Sequence, residues 1–296
     1  MSKNVQSQNR GFVILLFGGF LYSLYGVFSR VIGSSIPQFF QIWSRAAIVI
    51  GFLYIALLLT KTSLKRIEKQ DWKWVLIVAA SAGLIHPPFY IAINNMPIGT
   101  MLFAFYAVST VVSYLLGKVL FKERLSKIKA LSLFIAASGL LLLYTDTLHF
   151  GNPYYLILAG LSGFLFGVNI SFIKKINTKY HTLQVNLFNW TGALVVSLLA
   201  SLFLSEHWTF SLSTLPWVAN VGLAICSFAA SFSVIYGLKF IEIQKGSIIL
   251  LSELVFGVLL GIVLYHEIPT ITSMIGSILV LVALLLPNLS NFRKHP

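Results

Sequence analysis

The sequence contains little cysteine and little charge. Cys226 is the single cysteine among 296 residues and stands in an apolar run, which excludes an internal disulfide and a cysteine-rich metal site. Charged residues make up 10% of the chain, whereas about a quarter of the residues of a soluble domain are charged. Because 57% of the residues are hydrophobic and the segments between apolar runs are short, we predict a polytopic membrane protein without a soluble domain.

Motifs of enzymes and channels are also missing. His266 and Glu267 begin an HExxH-like run, but Thr270 stands where the second histidine would be, and no GxSxG, P-loop or paired-carboxylate motif occurs. No filter-like loop or ring of charges typical of a channel is found. We therefore expect no enzymatic activity, no cofactor and no metal. An intramembrane enzyme that uses His86 or Glu253 is the least favoured alternative.

What the sequence does contain is a regular distribution of positive charge. The net charge is +13, and all but two of the 21 Lys and Arg residues form six groups, which alternate along the chain with loops that carry no such group. The groups are Lys3 and Arg10; Lys61, Lys65, Arg66, Lys69 and Lys73; Lys118, Lys122, Arg124, Lys127 and Lys129; Lys174, Lys175 and Lys179; Lys239 and Lys245; Arg293 and Lys294. Positive residues collect in short cytoplasmic loops, so we expect both termini inside and an even number of spans. Charge divided among short loops favours membrane lipid over nucleic acid as the partner.

Ten apolar runs are predicted to be transmembrane helices, since about 20 residues cross the hydrocarbon core. The runs cover residues 11–32, 38–60, 73–93, 99–121, 128–144, 153–173, 182–204, 215–238, 246–265 and 270–286. The fifth and tenth runs are short. The predicted fold is an all-α polytopic membrane protein.

Part of the sequence recurs after 144 residues. The matching pairs are Val111 and Val255, Leu115 and Leu259, Leu116 and Leu260, Gly117 and Gly261, Val119 and Val263, Leu120 and Leu264, and Glu123 and Glu267. Five spans per copy is an odd number, so the second copy must be inverted relative to the first. We predict a first repeat over residues 1–145 and an inverted second repeat over 146–296, with Glu123 cytoplasmic and Glu267 external.

The chain resembles the ten-helix EamA-type branch of the drug/metabolite transporter superfamily. The resemblance rests on the two five-helix repeats, on the short link at residues 94–99 and on the span ends at 117–123 and 261–267, and it covers nearly the whole chain. It implies a secondary transporter. In the family a proline commonly stands 13 residues before each of the two glutamates, Glu123 and Glu267. This chain departs from the family because it has Thr110 and Leu254 at those positions.

Three ionisable residues fall inside the predicted spans, where a charge costs at least about 2.5 to 3.5 kcal/mol and marks a functional candidate. They are Arg45, His86 and Glu253. Arg30, the other basic residue outside the six groups, lies near the end of its run and is expected to extend to the interface.

Glu253 lies near the middle of the ninth run, on one stripe with Gly257 and Gly261. These two glycines form a GxxxG pair, which predicts the close approach of a neighbouring helix. Burial favours the neutral form of a carboxyl, so Glu253 is predicted to carry a proton or to face a cationic group of the substrate. A protonated structural tie is the alternative.

His86 precedes the consecutive prolines Pro87 and Pro88, which leave upstream carbonyls without helical donors. It is a second candidate for proton coupling, with a satisfied core histidine as the equal alternative. For Arg45, binding of an anionic substrate group and attachment of the second span to its neighbours are equally weighted. Pairing of Arg45 with Glu253 is left open.

Further polar and aromatic residues at helical spacing are predicted to line a central cavity. They are Tyr90, Tyr106, Asn169, Asn186, Asn189 and Trp190, with Tyr22 and Tyr25 from the first span. Packing between helices is the alternative for each of them. With Arg45, His86 and Glu253 they form the predicted substrate site of a transporter in the plasma or inner membrane. The predicted activity is alternating-access export of an amino acid or related metabolite, with proton or exchange coupling, and the alternative is a multidrug or cation exporter.

Overall fold

A computed structural model describes residues 3–149, 151–211 and 214–292, and these residues form helices and loops without a β-strand. The helices are α1 (Lys3–Ile32), α2 (Gln38–Leu59), α3 (Trp72–Leu84), α4 (His86–Asn95), α5 (Ile98–Phe121), α6 (Lys127–Tyr144), α7 (Pro153–Ile176), α8 (Thr182–Phe203), α9 (Leu215–Gly237), α10 (Ile243–Leu250), α11 (Ser252–Tyr265) and α12 (Ile271–Phe292). Arg293 and Lys294, the sixth basic group, lie outside the described residues.

Within the described ranges, nine helical segments are long and apolar enough to cross a membrane. Two of them combine neighbouring helices: α3 and α4 belong to the segment Lys69–Asn95, and α10 and α11 form Ile243–Tyr265. A shorter apolar stretch, Ile271–Pro287, lies in α12. The protein is therefore a multi-pass membrane protein, while the count of ten spans and the inside position of the termini stay predictions.

The third span is divided at Ile85. Pro87 and Pro88 have no N–H, so the carbonyls of Gly83 and Leu84 lose their donors in the helical ladder. Ile85 itself keeps helical dihedral angles, with φ −57° and ψ −41°. The predicted interruption is thus present as a gap in hydrogen bonding beside His86.

The ninth span is divided at Leu251, and no proline is involved. The amides of Leu251 and Leu254 bond to the carbonyls of Ile248 and Leu251, three residues back, which is a tighter turn than the α-helix makes. In contrast, α5 is continuous through Thr110. Of the two spans that lack the family's proline, α5 is thus continuous, whereas the span formed by α10 and α11 is interrupted.

The basic loops meet at one end of the helix bundle, which we call the basic end. The contacts that join them are Lys179 to Asp71 at 3.0 Å, the Ile243 amide to Glu123 at 2.7 Å, the Lys65 amide to Gln184 at 3.1 Å and Arg10 to the Tyr236 hydroxyl at 3.0 Å. The intervening loops meet at the opposite end, through Arg30 to Glu267 at 2.6 Å, Gln38 to Asn94 at 3.1 Å, the Phe40 amide to Glu206 at 2.7 Å and Thr272 to Asp146 at 2.8 Å. Successive loops thus alternate between the two ends, and the basic groups among the described residues collect at one of them, as the sequence predicts.

The 144-residue repeat is visible in the backbone. Four described non-glycine residues have a left-handed φ, and they form two pairs 144 apart: Lys61 at 50° with Ser205 at 52°, and Lys122 at 54° with His266 at 53°. Each follows a helix end, where such a residue normally closes the last turn. The bond from the Glu123 amide to the Gly117 carbonyl likewise recurs from Glu267 to Gly261.

Helix packing follows the same repeat. In one pair of equivalent contacts, α1 packs on α9, and α3 and α4 pack on α7. In a second pair, α5 packs on α7, and α10 and α11 pack on α1. α2 pairs with α8, and α6 pairs with α12, across the two repeats. The two halves therefore form one integrated bundle.

Candidate functional site

Glu253 lies in the first turn of α11, directly after the interruption at Leu251, and is partly buried. Its carboxyl interacts with the hydroxyl of Tyr106 on α5. Tyr22 of α1 and Tyr144 of α6 lie within electrostatic range of it. The glutamate is thus held among tyrosines from three other helices.

Arg45 of α2 is 5% exposed and has no acidic partner among the described residues. Its guanidinium carbon lies 5.1 Å from the ring centre of Tyr25, in a cation–π arrangement, and its Nε has no hydrogen-bond partner there. The charge reaches His86 and Tyr90 as well as Tyr25. Arg45 is therefore a buried cation whose anionic partner the described chain does not supply.

Two tyrosines of α1 lie within electrostatic range of both Arg45 and Glu253. They are Tyr22 and Tyr25, whose ring centres are 5.4 Å apart. Arg45 and Glu253 form no ion pair with each other, so the pairing that the sequence left open is not formed. The carboxyl and the guanidinium instead share the same pair of tyrosine neighbours.

An aromatic wall connects the same two regions along α4 and α5. Its ring-centre distances are 6.5 Å from His86 to Tyr90, 5.6 Å from Tyr90 to Phe89, 5.5 Å from Phe89 to Phe105 and 5.0 Å from Phe105 to Tyr106. The structure thus brings together five of the predicted site residues: Arg45, His86, Tyr90, Tyr106 and Glu253. Their role in binding stays a prediction.

The amide residues of α7 and α8 take part in ties between helices. Asn169 donates to the Val78 carbonyl at 3.0 Å, to Ser81 Oγ at 3.1 Å and to Asn189 Oδ1 at 3.0 Å. These bonds join α7 to α3 and α8. The contacts favour the packing alternative for Asn169, with Asn189 as its acceptor.

Trp190 and Asn186 lie on the same face of α8. The Trp190 indole donates to Ser231 Oγ at 3.1 Å, which ties α8 to α9. Asn186 is fully buried, and neither of its amide atoms has a partner in the part of the chain that the structure describes. Of the four predicted residues on α7 and α8, only Asn186 has its whole hydrogen-bonding capacity free.

The prediction that Gly257 and Gly261 admit a neighbouring helix was wrong. A methyl group placed on Gly257 would meet no atom within 4 Å, and on Gly261 it would meet only the side chain of Glu267. The reason is that α11 faces open space at Gly257, while the groove at Gly261 receives the carboxylate that follows the helix.

Tyr144 was missed in the sequence because it ends a span and looks like an interfacial aromatic residue. Its proximity to Glu253 depends on how α6 packs in the bundle, and no local pattern indicates that.

Comparison with known proteins bears on the fold and the general activity. The profile of the EamA-like transporter family matches residues 9–145 and again residues 153–289, and both the starts and the ends of the two matches are 144 residues apart. The chain belongs to the EamA-like transporter family. A solved structure titled "Crystal structure of protein" superposes on this EamA-like transporter with a TM-score of 0.80 over 97% of this chain and 99% of that chain. At 17% identity that likeness shows the shared fold alone. No curated protein matches the chain.

At the basic end of this EamA-like transporter, Glu123 joins the two repeats. Its carboxylate accepts the amides of Ile243 at 2.7 Å and Gln244 at 3.1 Å, and so caps the N-terminus of α10. Lys129 adds a bond to Gln244 Oε1 at 2.9 Å and an ion pair with Glu242 at 2.8 Å. We call this arrangement the Glu123 latch. Glu123 is 8% exposed within it.

The equivalent residue at the opposite end, Glu267, has a different partner. It pairs with Arg30 at the end of α1 at 2.6 Å, and its side chain is 49% exposed. The amides that Glu123 caps lie 144 residues after those at the start of α5, so Glu267 would cap α5 if it repeated the role of Glu123. At that N-terminus, however, the Thr100 hydroxyl donates to the Thr147 carbonyl at 2.7 Å. The latch is therefore formed at one end of the bundle only.

Proposed function

We propose that this EamA-like transporter is a secondary active transporter that exports an amino acid or a closely related zwitterion across the plasma or inner membrane. The observation that carries the proposal is that a buried guanidinium, Arg45, and a carboxyl, Glu253, have no ion-pair partner among the described residues and lie within electrostatic range of the same two tyrosines, Tyr22 and Tyr25. A buried charge without a partner is costly, so each of these groups favours a ligand of opposite charge. A zwitterion supplies both: its carboxylate for Arg45 and its ammonium for Glu253.

The surroundings of the charges suit the remainder of such a ligand. Tyr90, Phe89 and Tyr106 provide aromatic surface between the two charged groups, against which an apolar or aromatic side chain can pack. Sites for small molecules commonly combine such surface with a few polar groups that fix orientation.

Glu253 also suggests how transport is coupled. A single carboxylate can bind a proton or pair with an ammonium group, but not both, so the proton and the substrate compete for Glu253. This competition is the logic of exchange: a proton enters as the cationic group leaves. Such exchange with an inward proton gradient drives export. His86, within range of Arg45, is the second candidate for proton transfer.

The one-sided latch supports alternating access. If the two repeats exchange conformations, Glu267 would cap the first amides of α5 as Glu123 now caps those of α10. Glu123 would then pair with Lys174, which stands 144 residues after Arg30 and now donates to the carbonyls of Leu238 and Ile241. Inverted repeats of secondary transporters are suited to such an exchange around a central site.

The proposal is tested by thermal unfolding of the purified protein with each standard amino acid. For the amino acid that stabilises most, the amine without the carboxylate and the acid without the amino group are then compared. We expect the zwitterion to raise the Tm far more than either analogue, since ligand binding stabilises the folded state. Arg45→Gln should remove the preference for the carboxylate, and Glu253→Gln the preference for the amine. Arg66→Gln, an exposed arginine at the basic end, is the matched control. Equal stabilisation by all three compounds would refute the zwitterion site.

A multidrug or cation exporter is the second candidate function. It is favoured by the tyrosines around Glu253, because aromatic rings beside a carboxylate bind organic cations. The same experiment separates the two candidates. For a cation exporter the amine alone would stabilise as strongly as the zwitterion, and Arg45→Gln would change nothing.

A further inference from the structure

A cavity lies at the basic end, between the start of α3 and the end of α7, and neither Glu253 nor Arg45 lines it. Its volume is about 350 Å³, and it is lined by Gln70, Asp71, Lys73, Trp74, Lys175, Ile176, Thr178 and Lys179. Three of these side chains are lysines and one is acidic. The cavity is therefore a built recess with a surplus of positive charge.

One of the three lysines is neutralised within the protein. Lys179 lies 3.0 Å from Asp71 and 3.7 Å from Glu68, and the bond to Asp71 raises the pKa of Lys179 above its usual value. Asp71 is 5% exposed and also accepts the Tyr180 hydroxyl at 2.9 Å. The acidic residue of the cavity is thus hydrogen-bonded to Lys179 and Tyr180, and its charge also reaches Lys175 without forming an ion pair with it.

Those two lysines, Lys73 and Lys175, share one indole ring. Their ammonium nitrogens lie 4.7 Å and 3.9 Å from the ring centre of Trp74, and neither has an acidic partner among the described residues. The ring itself is fixed by stacking on Phe172 at 5.3 Å. Two cations so close to one ring repel each other unless an anion neutralises them.

The position of the cavity indicates what kind of anion reaches it. It opens beside Trp72, the first residue of α3, which is 48% exposed and typical of the interfacial aromatic belt. The phosphates of anionic lipids lie at this depth, and basic pockets between transmembrane helices bind such headgroups. A phosphate presents several acceptor oxygens to two separate ammonium groups at once.

We propose that this cavity is a binding site for a phosphate group, held by Lys73 and Lys175 above the Trp74 ring. Its source is an anionic lipid headgroup or a soluble organic phosphate. Such a ligand links the start of α3 to the end of α7, one element from each repeat. This site is independent of the transport site and of the proposed substrate.

The test measures binding of phosphatidylglycerol and phosphatidylcholine to the purified full-length protein in detergent by native mass spectrometry. The variant is Lys73→Gln/Lys175→Gln. The matched control is Lys118→Gln/Lys127→Gln, which removes two exposed lysines of the same end that do not line the cavity. We expect wild type and control to retain phosphatidylglycerol equally and the cavity variant to bind it about 30-fold more weakly, since each lysine contributes about five- to sixfold to the affinity. Phosphatidylcholine should bind alike in all three.

A second arm identifies the source of the phosphate. Glycerol 3-phosphate is added to the lipid-depleted protein and its effect on the Tm is recorded. Stabilisation that requires Lys73 and Lys175, without selective phosphatidylglycerol binding, assigns the site to a soluble phosphate. Selective lipid binding without that stabilisation assigns it to a headgroup. If neither anion distinguishes the cavity variant from the control, the site does not exist.

Discussion

At the scale of single residues, the central feature is a separation of charge. Pairing Arg45 with Glu253 would have satisfied both groups, and a cation–π contact of Arg45 with Tyr25 and an interaction of Glu253 with Tyr106 take its place. Such contacts compensate a buried charge only partly, because a cation–π contact contributes about 0.5 to 2 kcal/mol whereas the effective desolvation penalty is several kcal/mol. A charged ligand that binds can offset the part of the desolvation penalty that these contacts leave uncompensated.

Glu253→Gln tests the role of the carboxyl in coupling. Glutamine keeps the size and a hydrogen-bond acceptor for Tyr106 but cannot release a proton, so we expect substrate-coupled proton movement to fall to background. The measurement is proton flux, reported by a pH-sensitive dye inside proteoliposomes, when substrate is added under a pH gradient. Glu68→Gln, at an exposed glutamate of the basic end, should behave as wild type. Undiminished coupled flux in Glu253→Gln would remove Glu253 from the coupling step.

The residues of the site differ in how far their sequence predicts them. Arg45, His86 and Glu253 can be predicted, because a charge in an apolar run is conspicuous and expensive. Asn169 and Trp190 satisfy the same helical spacing, yet they bond to Ser81 and Ser231 on neighbouring helices. Helical spacing shows which residues share a face of a helix but not what that face contacts. It therefore cannot distinguish ligand-binding residues from packing residues.

At the scale of helices, α3 and α8 cross at a contact between backbones. A methyl group on Gly192 would overlap the backbone of Ala79, and one on Gly83 would lie 2.5 Å from the Gly192 carbonyl. Close crossings through small residues are how helices associate where lipid removes the hydrophobic driving force. The GxxxG spacing of α11 suggested such a crossing, whereas these two glycines stand alone in their helices' local sequence. The sequence therefore indicated the wrong pair.

Gly192→Ala tests this crossing. Because the added methyl meets backbone, which cannot rotate away, we expect a loss of about 1 to 3 kcal/mol in stability and a lower Tm in detergent. Gly51→Ala is the matched control: its methyl would meet nothing within 4 Å. In the interior of a helix that change should be neutral or stabilising by up to about 1 kcal/mol. A Gly192→Ala protein as stable as Gly51→Ala would contradict the close packing described here.

At the scale of the whole molecule, two halves with equivalent helix contacts differ in the connection that each makes through its repeated glutamate. The pairs of left-handed residues and the paired helix contacts follow the 144-residue offset, but Glu123 is buried at the N-terminus of α10 while Glu267 faces Arg30. The recurrence of the two glutamates can be read from the sequence. Their different partners cannot, because a repeat specifies two equivalent arrangements and the bundle adopts one of them.

This difference leads to a prediction about the equilibrium between two states. In Glu123→Gln the group that accepts the two backbone amides is no longer ionised. A hydrogen bond to an ionised acceptor contributes about 1.5 to 3 kcal/mol. We expect it to shift the ratio of the two states at least about tenfold toward the one in which the basic end is open. Glu267→Gln, the equivalent change, should not open the basic end, because Glu267 takes no part in the Glu123 latch.

Pulsed electron–electron resonance on spin-labelled protein measures the shift. In a Cys226→Ser background, labels at positions of Arg124 and Lys239 report on the basic end, and labels at positions of Ile98 and Ile268 report on the opposite end; all four residues are exposed. In Glu123→Gln the first distance should lengthen while the second shortens, since opening one end closes the other in alternating access. Equal distance distributions in wild type, Glu123→Gln and Glu267→Gln would mean that the latch is static packing. A change at the basic end alone would mean local loosening without exchange between the repeats.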